Sequence, residues 1–562
     1  FGSSSSPQGC PTTLVTMMLS RSAMLGRGLM IYAGLATVQV LGTLAWKLWT
    51  CFRMRRMLKD VPRSRYTSHW LLGSVKAQRD FAKSRHHWRN EVTLGLPVSK
   101  STGILWDPAF ISLTIRDPEL IKHYLQDKFD VYSKAEPDNG IIEFTFGEWL
   151  GRGIFSAPHG VGAVDAGENW TRQRKIASQI FTRANMTATM TETFVDRTHR
   201  LISVIKPGEK VDMQAHFFNY TMDSIMHLFF GVDADSLRGE SNDYGTAFDA
   251  AHRSFMKYVM EALFPANLCQ LLPFPFGGLN GLAMRWQRYR SQSYKEFREA
   301  LNLLDSESAR IVAECHKDPK LADRQDLLAR FLRAVKAEGL VADAQLTTYL
   351  RDTVLNFVIA GRDTTACTLA WMFYILGTHP EIQQRIQAEI DEKLPNLKEP
   401  DWKGVSSTNM PVLHALLYET LRLYPPVPLD NKVAHADDVL PDGTKVPKGT
   451  KLFFFPWGMA RDPAVYPDPE EVKLERWIPF NNPPAHEFPV FQAGPRICLG
   501  KDMAIMESKI VAAMLLQRYS FTLAKGEAEK IHYSAMLTMS VCNSKNQDSH
   551  NLLLIPEERK QK

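Results

Sequence analysis

The segment from Asp343 to Gly377, DAQLTTYLRDTVLNFVIAGRDTTACTLAWMFYILG, constrains the fold more than any other stretch of the chain. It runs 35 residues without a proline and carries apolar residues at helical spacing. At 1.5 Å per residue such a helix spans roughly 50 Å, enough to cross a whole domain. Asp343 is the expected N-cap, Gly377 the expected C-cap, and His379-Pro380 the stop. A second helix is expected from about Asn409 to Tyr424, closed by Pro425-Pro426, and a last one from near Gly500 to about Arg518. Strand-like runs (ILW, FISLTI) fall between 105 and 135, and short strands and turns (LPDGT, VPKGT) between 430 and 475. The spacing predicts a mainly α fold with a minor β-sheet. No repeat or long linker interrupts residues 63–562, which are therefore expected to form one large domain.

Charge placement narrows the partners. The net charge is +6, yet the first 59 residues hold seven basic residues and no Asp or Glu. The rest of the chain then carries 60 basic against 61 acidic residues, which argues against a nucleic-acid-binding body. Seven cysteines (10, 51, 269, 315, 367, 498 and 542) are scattered without a Cys-x-x-Cys pair, so a disulfide framework or zinc site is not expected. There is no HExxH, no Walker loop and no G-x-G-x-x-G after a strand.

Gly28 to Trp46 is a 19-residue run without charge, about the thickness of a bilayer core as a helix. Arg21 and Arg27 precede it, whereas Lys47, Arg53, Arg55, Arg56 and Lys59 follow, which places the C-terminal side in the cytosol. The reading is a leader over 1–27, a transmembrane signal anchor over 28–47, a basic linker over 48–62 and the globular domain over 63–562. A buried soluble helix and a mitochondrial transit segment are the alternatives.

The chemistry is written around Cys498, in Phe491-Gln-Ala-Gly494-Pro-Arg496-Ile-Cys498-Leu-Gly500. Glycines on both sides permit a tight loop that projects the sulfur. The helix beginning at Gly500 aims its positive end there, which favours a thiolate, and Arg496 adds positive charge. With Phe491 as an aromatic cover, such a thiolate suits a haem iron. The ten residues resemble the haem-binding loop F-x-x-G-x-R-x-C-x-G of the cytochrome P450 family.

Further matches follow in that family's chain order. Glu419-Thr-Leu-Arg422 resembles its E-x-x-R pair, two residues that share a helix face and can pair. The resemblance adds Arg476 as a third member of this structural cluster, although Leu474 stands where the family usually has Pro. Ala360-Gly361-Arg362-Asp363-Thr364-Thr365 is similar to the oxygen-activation motif. Gly361 would let the helix open above iron, Thr364 would hydrogen-bond oxygen or water, and Asp363 would relay protons. Ala360 replaces the Glu that esterifies haem in animal fatty-acid hydroxylases, so covalent attachment by that route is not expected. Trp170 and Arg174 match the W-x-x-x-R element, with Arg174 and Arg496 as partners for haem propionates and Lys432 as a weaker third. Leu150-Gly-Arg-Gly-Ile154-Phe155 also matches, but about ten extra residues separate Phe155 from Trp170.

The resemblance implies a membrane-anchored haem-thiolate monooxygenase with haem b, O₂ and Cys498 as the axial iron ligand. Electrons would come from NADPH through a separate NADPH–cytochrome P450 reductase or a cytochrome b-type donor, with Lys501 and Arg496 on the docking face. AGRDTT, ADDVLPDGTKVPKGT and FQAGPRICLGKDMA look most like the fatty-acid ω-hydroxylases of plants and yeasts, so a lipophilic substrate, a long-chain fatty acid, is expected. A sterol is the alternative, as is a reductase-independent isomerase or dehydratase, against which Asp363 and Thr364 speak. A haem-binding or lipid-carrying protein without activity is a third reading. Substrate contacts are expected in 140–168, 245–290, 427–431 and 533–540. The expected location is the endoplasmic reticulum membrane with the catalytic domain cytosolic, or else a mitochondrial membrane.

Overall fold

The computed structural model describes residues 102–560 except 108–109, 135–140, 160–165, 240–242, 270–281, 338–343, 535–536 and 544–549, together with scattered positions between 34 and 56. The elements that position the site are helices α1 (Ile141–Leu150), α2 (Ala166–Ser178), α3 (Met213–Phe230), α4 (Asp243–Cys269), α5 (Gln292–Lys317), α6 (Ala344–Thr378), α7 (Pro411–Leu423) and α8 (Lys501–Arg518). A five-stranded sheet lies at one side. Its strands are β1 (Thr102–Asp107), β2 (Phe110–Ile115), β3 (Tyr132–Ser133), β4 (Asp430–Ala434) and β5 (Lys451–Phe454), in the order β1-β2-β5-β4-β3. Only β2 and β5 pair in parallel, with Leu113 opposite Leu452. The expectation of a mainly helical chain with a minor sheet is met.

Helix α6 runs through the core. Its residues Leu369, Ala370, Met372, Phe373 and Leu376 are fully buried, as are Phe217 and Ile225 of α3 and Ile510, Val511 and Leu515 of α8. A helix buried nearly all round has no polar face to show, which is why its sequence is so apolar. The expected N-cap, Asp343, lies outside the described residues. At the other end the expectation fails: Gly377 is inside the helix, which continues through Thr378. A Cβ there would stand 3.1 Å from Leu554 Cδ2 and 3.3 Å from Leu523 N, so this glycine admits the neighbouring strand rather than reversing the chain. Pro380 then opens the next helix as its first residue.

Helix α7 begins on Pro411 and ends at Leu423, before the two prolines. Its first-turn amides at Val412 and Leu413 donate to the Glu389 carboxylate at 2.8 and 2.9 Å, a cap supplied by another helix. The expected anchor over 28–47 lies partly outside the described residues. Its described positions are helical, and Leu35, Val38, Leu41 and Trp46 are exposed. Among the described residues no helix is long and apolar enough to cross a membrane.

Candidate active site

The Cys498 loop closes on itself, with the Cys498 amide donating to Phe491 O at 2.8 Å. Gly494 has φ +65°, and a Cβ on it would stand 2.1 Å from Leu125 O, so only glycine fits. Gly500 caps α8, which starts at Lys501. Cys498 is exposed, yet burial is the largest influence on its thiol. Burial raises the thiol despite the Gly500 N–H, Arg174 and Lys501 beside it. The Gly500 N–H at the helix terminus, with Arg174 and Lys501, acts in the direction the sequence reading expects, toward the thiolate.

Three cations gather near the Cys498 loop. Arg174 lies on α2 beside buried Trp170, its guanidinium 5.8 Å from the indole, and close enough to Cys498 for their charges to interact. Arg496 covers the same indole at 4.6 Å. Burial brings Arg496 down to about 9, with Asp430 pulling the other way and Arg174 adding to the shift. Lys432 of β4 is fully buried between Tyr124 and Phe129, and its Nζ has no hydrogen-bond partner among the described residues. Burial, Arg496 and Lys134 hold that amine well below its usual range. A buried amine without an acceptor, near Arg496 and Lys134, would be held charged only by an anion placed among them.

One member of this cluster escaped the sequence reading. His159 sits in the segment of extra residues after Phe155 and is buried. Arg496 donates to its Nδ1 from Nε at 3.0 Å and lies 2.7 Å away through Nη2, while Nε2 reaches Phe129 O at 3.1 Å. The ring stacks on Phe129 at 3.9 Å. Burial, Arg496 and Lys432 lower His159 to about 2, so it is neutral. Arg496 also donates to Ile154 O and Ala157 O, at 3.2 and 2.5 Å. It is thus a strut between the Cys loop and residues 154–159 as well as a member of the cation cluster.

The predicted charged cluster assembles fully. Arg422 makes a two-pronged pair with Glu419, both bonds 2.8 Å and both side chains wholly buried. Arg422 also donates to the carbonyls of Ala460, Pro469 and Glu471. Arg476 Nε stands 3.4 Å from Glu419 Oε1. Trp477, which no charge pattern flags, donates its indole N–H to Glu419 Oε2 at 2.8 Å. Leu474, in place of the family's Pro, is buried in the turn that carries Arg476.

On α6, Thr364 is the only residue from Gly361 to Phe373 that is not buried, so the helix opens to space at this hydroxyl. Thr364 donates to Ala360 O at 2.7 Å and keeps its acceptor lone pairs. Gly361 does not open the helix as expected. A Cβ there would stand 2.2 Å from Ile225 Cδ1, so the glycine lets α3 approach. Asp363 is fully buried, its Oδ1 2.9 Å from Arg362 Nη1 and its Oδ2 3.1 Å from His252 Nδ1. Burial pushes this carboxyl up, but His252 and Arg362 outweigh it and hold Asp363 ionised. The upstream LGRGIF segment docks on the same helix: Arg152 N donates to Asp352 at 2.9 Å and Phe155 N to Asn356 at 3.2 Å.

Similarity to known proteins identifies the family. The family model described as Cytochrome P450 matches residues 111–548. The chain belongs to the cytochrome P450 family. Similar relatives include Cytochrome P450 94C1 of Arabidopsis thaliana, 32% identical over 446 residues that cover 76% of this chain and 83% of the relative. Cytochrome P450 94B1 of the same plant is 32% identical, covering 82% and 86%. Cytochrome P450 704C1 of Pinus taeda is 31% identical, covering 78% and 84%. Members of this family are haem-thiolate monooxygenases that use haem iron and O₂ with electrons from a reductase. The residues of this P450 fit that group. Cys498 is exposed as an iron ligand must be, and the cations Arg174, Arg496 and Lys432, the last with no hydrogen-bond partner for its Nζ among the described residues, suit a group that carries carboxylates.

Proposed function

We propose that this P450 hydroxylates a lipophilic substrate, a long-chain fatty acid, with electrons from a separate NADPH–cytochrome P450 reductase. The observation that carries the site assignment is the exposed Cys498 on a loop whose Arg496 neighbours the unpartnered Lys432. In this reading Cys498 would hold the haem iron, Arg174, Arg496 and Lys432 would receive the haem carboxylates, and Trp170 and Phe491 would cover the group. The haem, when bound, supplies oxygen activation and the radical chemistry of C–H hydroxylation. The chain supplies position and protons. Thr364 presents a hydroxyl at the opening of α6, and Asp363, held ionised next to it, takes up and passes on protons.

The choice of fatty acid rests on the likeness of AGRDTT, ADDVLPDGTKVPKGT and FQAGPRICLGKDMA to the fatty-acid ω-hydroxylase branch. A membrane anchor over 28–47 in the endoplasmic reticulum, with residues 63–562 as one cytosolic domain, completes the reading. The basic flank and the exposed Leu35, Val38, Leu41 and Trp46 support it. The test is the carbon monoxide difference spectrum of the reduced protein, followed by oxidation of dodecanoic acid with NADPH and reductase. Wild type should show the thiolate-type Soret band and form hydroxylated product. Cys498→Ala should do neither, and turnover without Cys498 would refute the ligand assignment.

A further inference from the structure

Residues 151–159 are turns and bends, with no strand to satisfy their backbone. Side chains from three other elements hold peptide groups of this segment instead. From α6, the fully buried Asn356 donates to Leu150 O at 2.7 Å and accepts from Phe155 N at 3.2 Å. One turn earlier Asp352 accepts from Arg152 N at 2.9 Å, and Arg351 donates to Trp149 O at 2.9 Å. From α2, the fully buried Gln173 donates to Arg152 O at 2.9 Å. From the cysteine loop, Arg496 donates to Ile154 O, Ala157 O and His159 Nδ1.

Two glycines permit the approach to α6. A Cβ on Gly151 would stand 1.9 Å from Asp352 Oδ2, and one on Gly153 would stand 2.0 Å from Asn356 Nδ2. A side chain at either position would push the segment off its partner. The consequence reaches Arg496. Its N–H groups form a rigid planar fork, so the direction of the guanidinium depends on where its acceptors stand. Those acceptors belong to residues 154–159, and α6 holds that segment through Asp352 and Asn356. The seat of Arg496 over the Trp170 indole is thus set from α6 as well as from its own loop.

We propose that Asn356 and Asp352 are positioning residues for the haem carboxylates: they clamp residues 149–159 onto α6, so that Arg496 is aimed at that group and the haem is retained. This rests on the reading of Arg496 as a haem-carboxylate cation. Asn356 lies about two turns before Thr364, so one helix carries both that hydroxyl and the hold on the carboxylate side.

The experiment follows haem loss from the purified ferric holoenzyme to excess apomyoglobin, by Soret absorbance, below the melting temperature. Asn356→Leu nearly keeps the volume but removes both bonds. It should lose haem about tenfold faster than wild type, equivalent to about 1.4 kcal/mol. Gly153→Ala leaves Asn356 in place and should act in the same direction. Asp352→Asn keeps an acceptor for Arg152 N and should stay near wild type, whereas Asp352→Leu should not. In Asn356→Leu and Gly153→Ala the thiolate-type carbon monoxide band should persist, while the haem-carboxylate bending band in the resonance Raman spectrum should shift. An unmoved band with haem loss at the wild-type rate overturns the proposal.

Gln383→Leu controls for stability alone. Gln383 is another buried amide that bonds backbone in both directions, donating to Phe521 O at 2.9 Å and accepting from Phe521 N at 2.7 Å. It holds the strand Tyr519–Leu523 rather than residues 149–159. This variant should lower the melting temperature without speeding haem loss, and equal acceleration by Gln383→Leu and Asn356→Leu overturns the positioning role. In an Arg496→Lys background the fork is gone, so Asn356→Leu should add little; a full additional loss overturns the route through Arg496. If Asn356→Leu yields no holoenzyme, Asn356→Ser, too short to reach both peptide groups, carries the same comparison. A wild type lacking the thiolate-type Soret band would instead defeat the haem-thiolate reading itself.

Discussion

Arg496 donates to Nδ1 of His159 across 337 positions of sequence, joining the cysteine loop to the segment that follows Phe155. The imidazole accepts there because its proton sits on Nε2, against Phe129 O. His159→Leu strips the guanidinium of this acceptor inside a buried cluster, a cost of about 1–3 kcal/mol. The variant should melt earlier and hold less haem, read as thiolate-type Soret absorbance per mole of protein. Full haem content in His159→Leu would show the contact to be incidental.

Acid sensitivity follows from two buried neutral histidines. Burial and the nearby cations lower His159 to about 2, and burial with Lys509 and Lys501 lowers His414 to about 3. Both bind a proton more readily unfolded, where the ordinary value is about 6.5. Stability is therefore complete above about pH 6.5 and is lost as pH falls, at up to about 1.4 kcal/mol per pH unit for each ring. His414→Gln should remove one of these contributions. Melting temperature followed from pH 7.5 down to 5, as experimental settings of roughly one ring's titration range, should fall less steeply in the variant. Parallel curves would refute the assignment.

Glu419 receives Arg422, Arg476, the Lys473 amide and the Trp477 indole in one buried site. Removing one partner of a buried pair typically costs about 3–5 kcal/mol, so Arg422→Leu should prevent recovery of folded holoenzyme. Trp477→Phe removes a single bond to a charged group and should cost about 1.5–3 kcal/mol. Denaturant titration of the Trp477→Phe holoenzyme checks this. An unchanged midpoint would mean that water replaces the indole.

The features legible in the sequence are those set by neighbours in the chain. Glu419 and Arg422 share a helix face by spacing alone, and Cys498 is framed by glycines within a few residues. What sequence hid depends on distant packing. His159 lies in an unpatterned run and is given its role by Arg496, while His252 acquires its meaning only when α4 meets α6. Trp477 follows a charged residue but carries no sign that a carboxylate awaits it. The glycines hide distant packing too: Gly377 looks like a cap and Gly361 like a hinge, yet at each another element comes close.

Thr364 gives up its proton to Ala360 O, which is what a merely helical threonine does as well. Its partial exposure in an otherwise buried stretch separates the two roles. Thr364→Ala should raise peroxide released per NADPH by about tenfold while leaving the melting temperature nearly unchanged, since positioned proton donors act on rate far more than on stability. Thr364→Ser should restore coupling. Equal peroxide yields in wild type and Thr364→Ala would leave the hydroxyl as a helix back-bond alone.

Gly361 separates a packing role from an oxygen-pocket role. A methyl group there meets Ile225 Cδ1 at 2.2 Å and Cγ1 at 2.5 Å, and Ile225 is fully buried in α3. Overpacking of this kind costs about 1–3 kcal/mol, because neither helix can shift without disturbing its other neighbours. Gly361→Ala should therefore lower the melting temperature, and the compensating Gly361→Ala with Ile225→Ala should recover it by vacating the space. If the glycine serves only α3, the double variant should also regain the product yield per NADPH of wild type. Restored stability with persistent uncoupling would place the new methyl in the path of oxygen after all, and return Gly361 to the role its motif suggests.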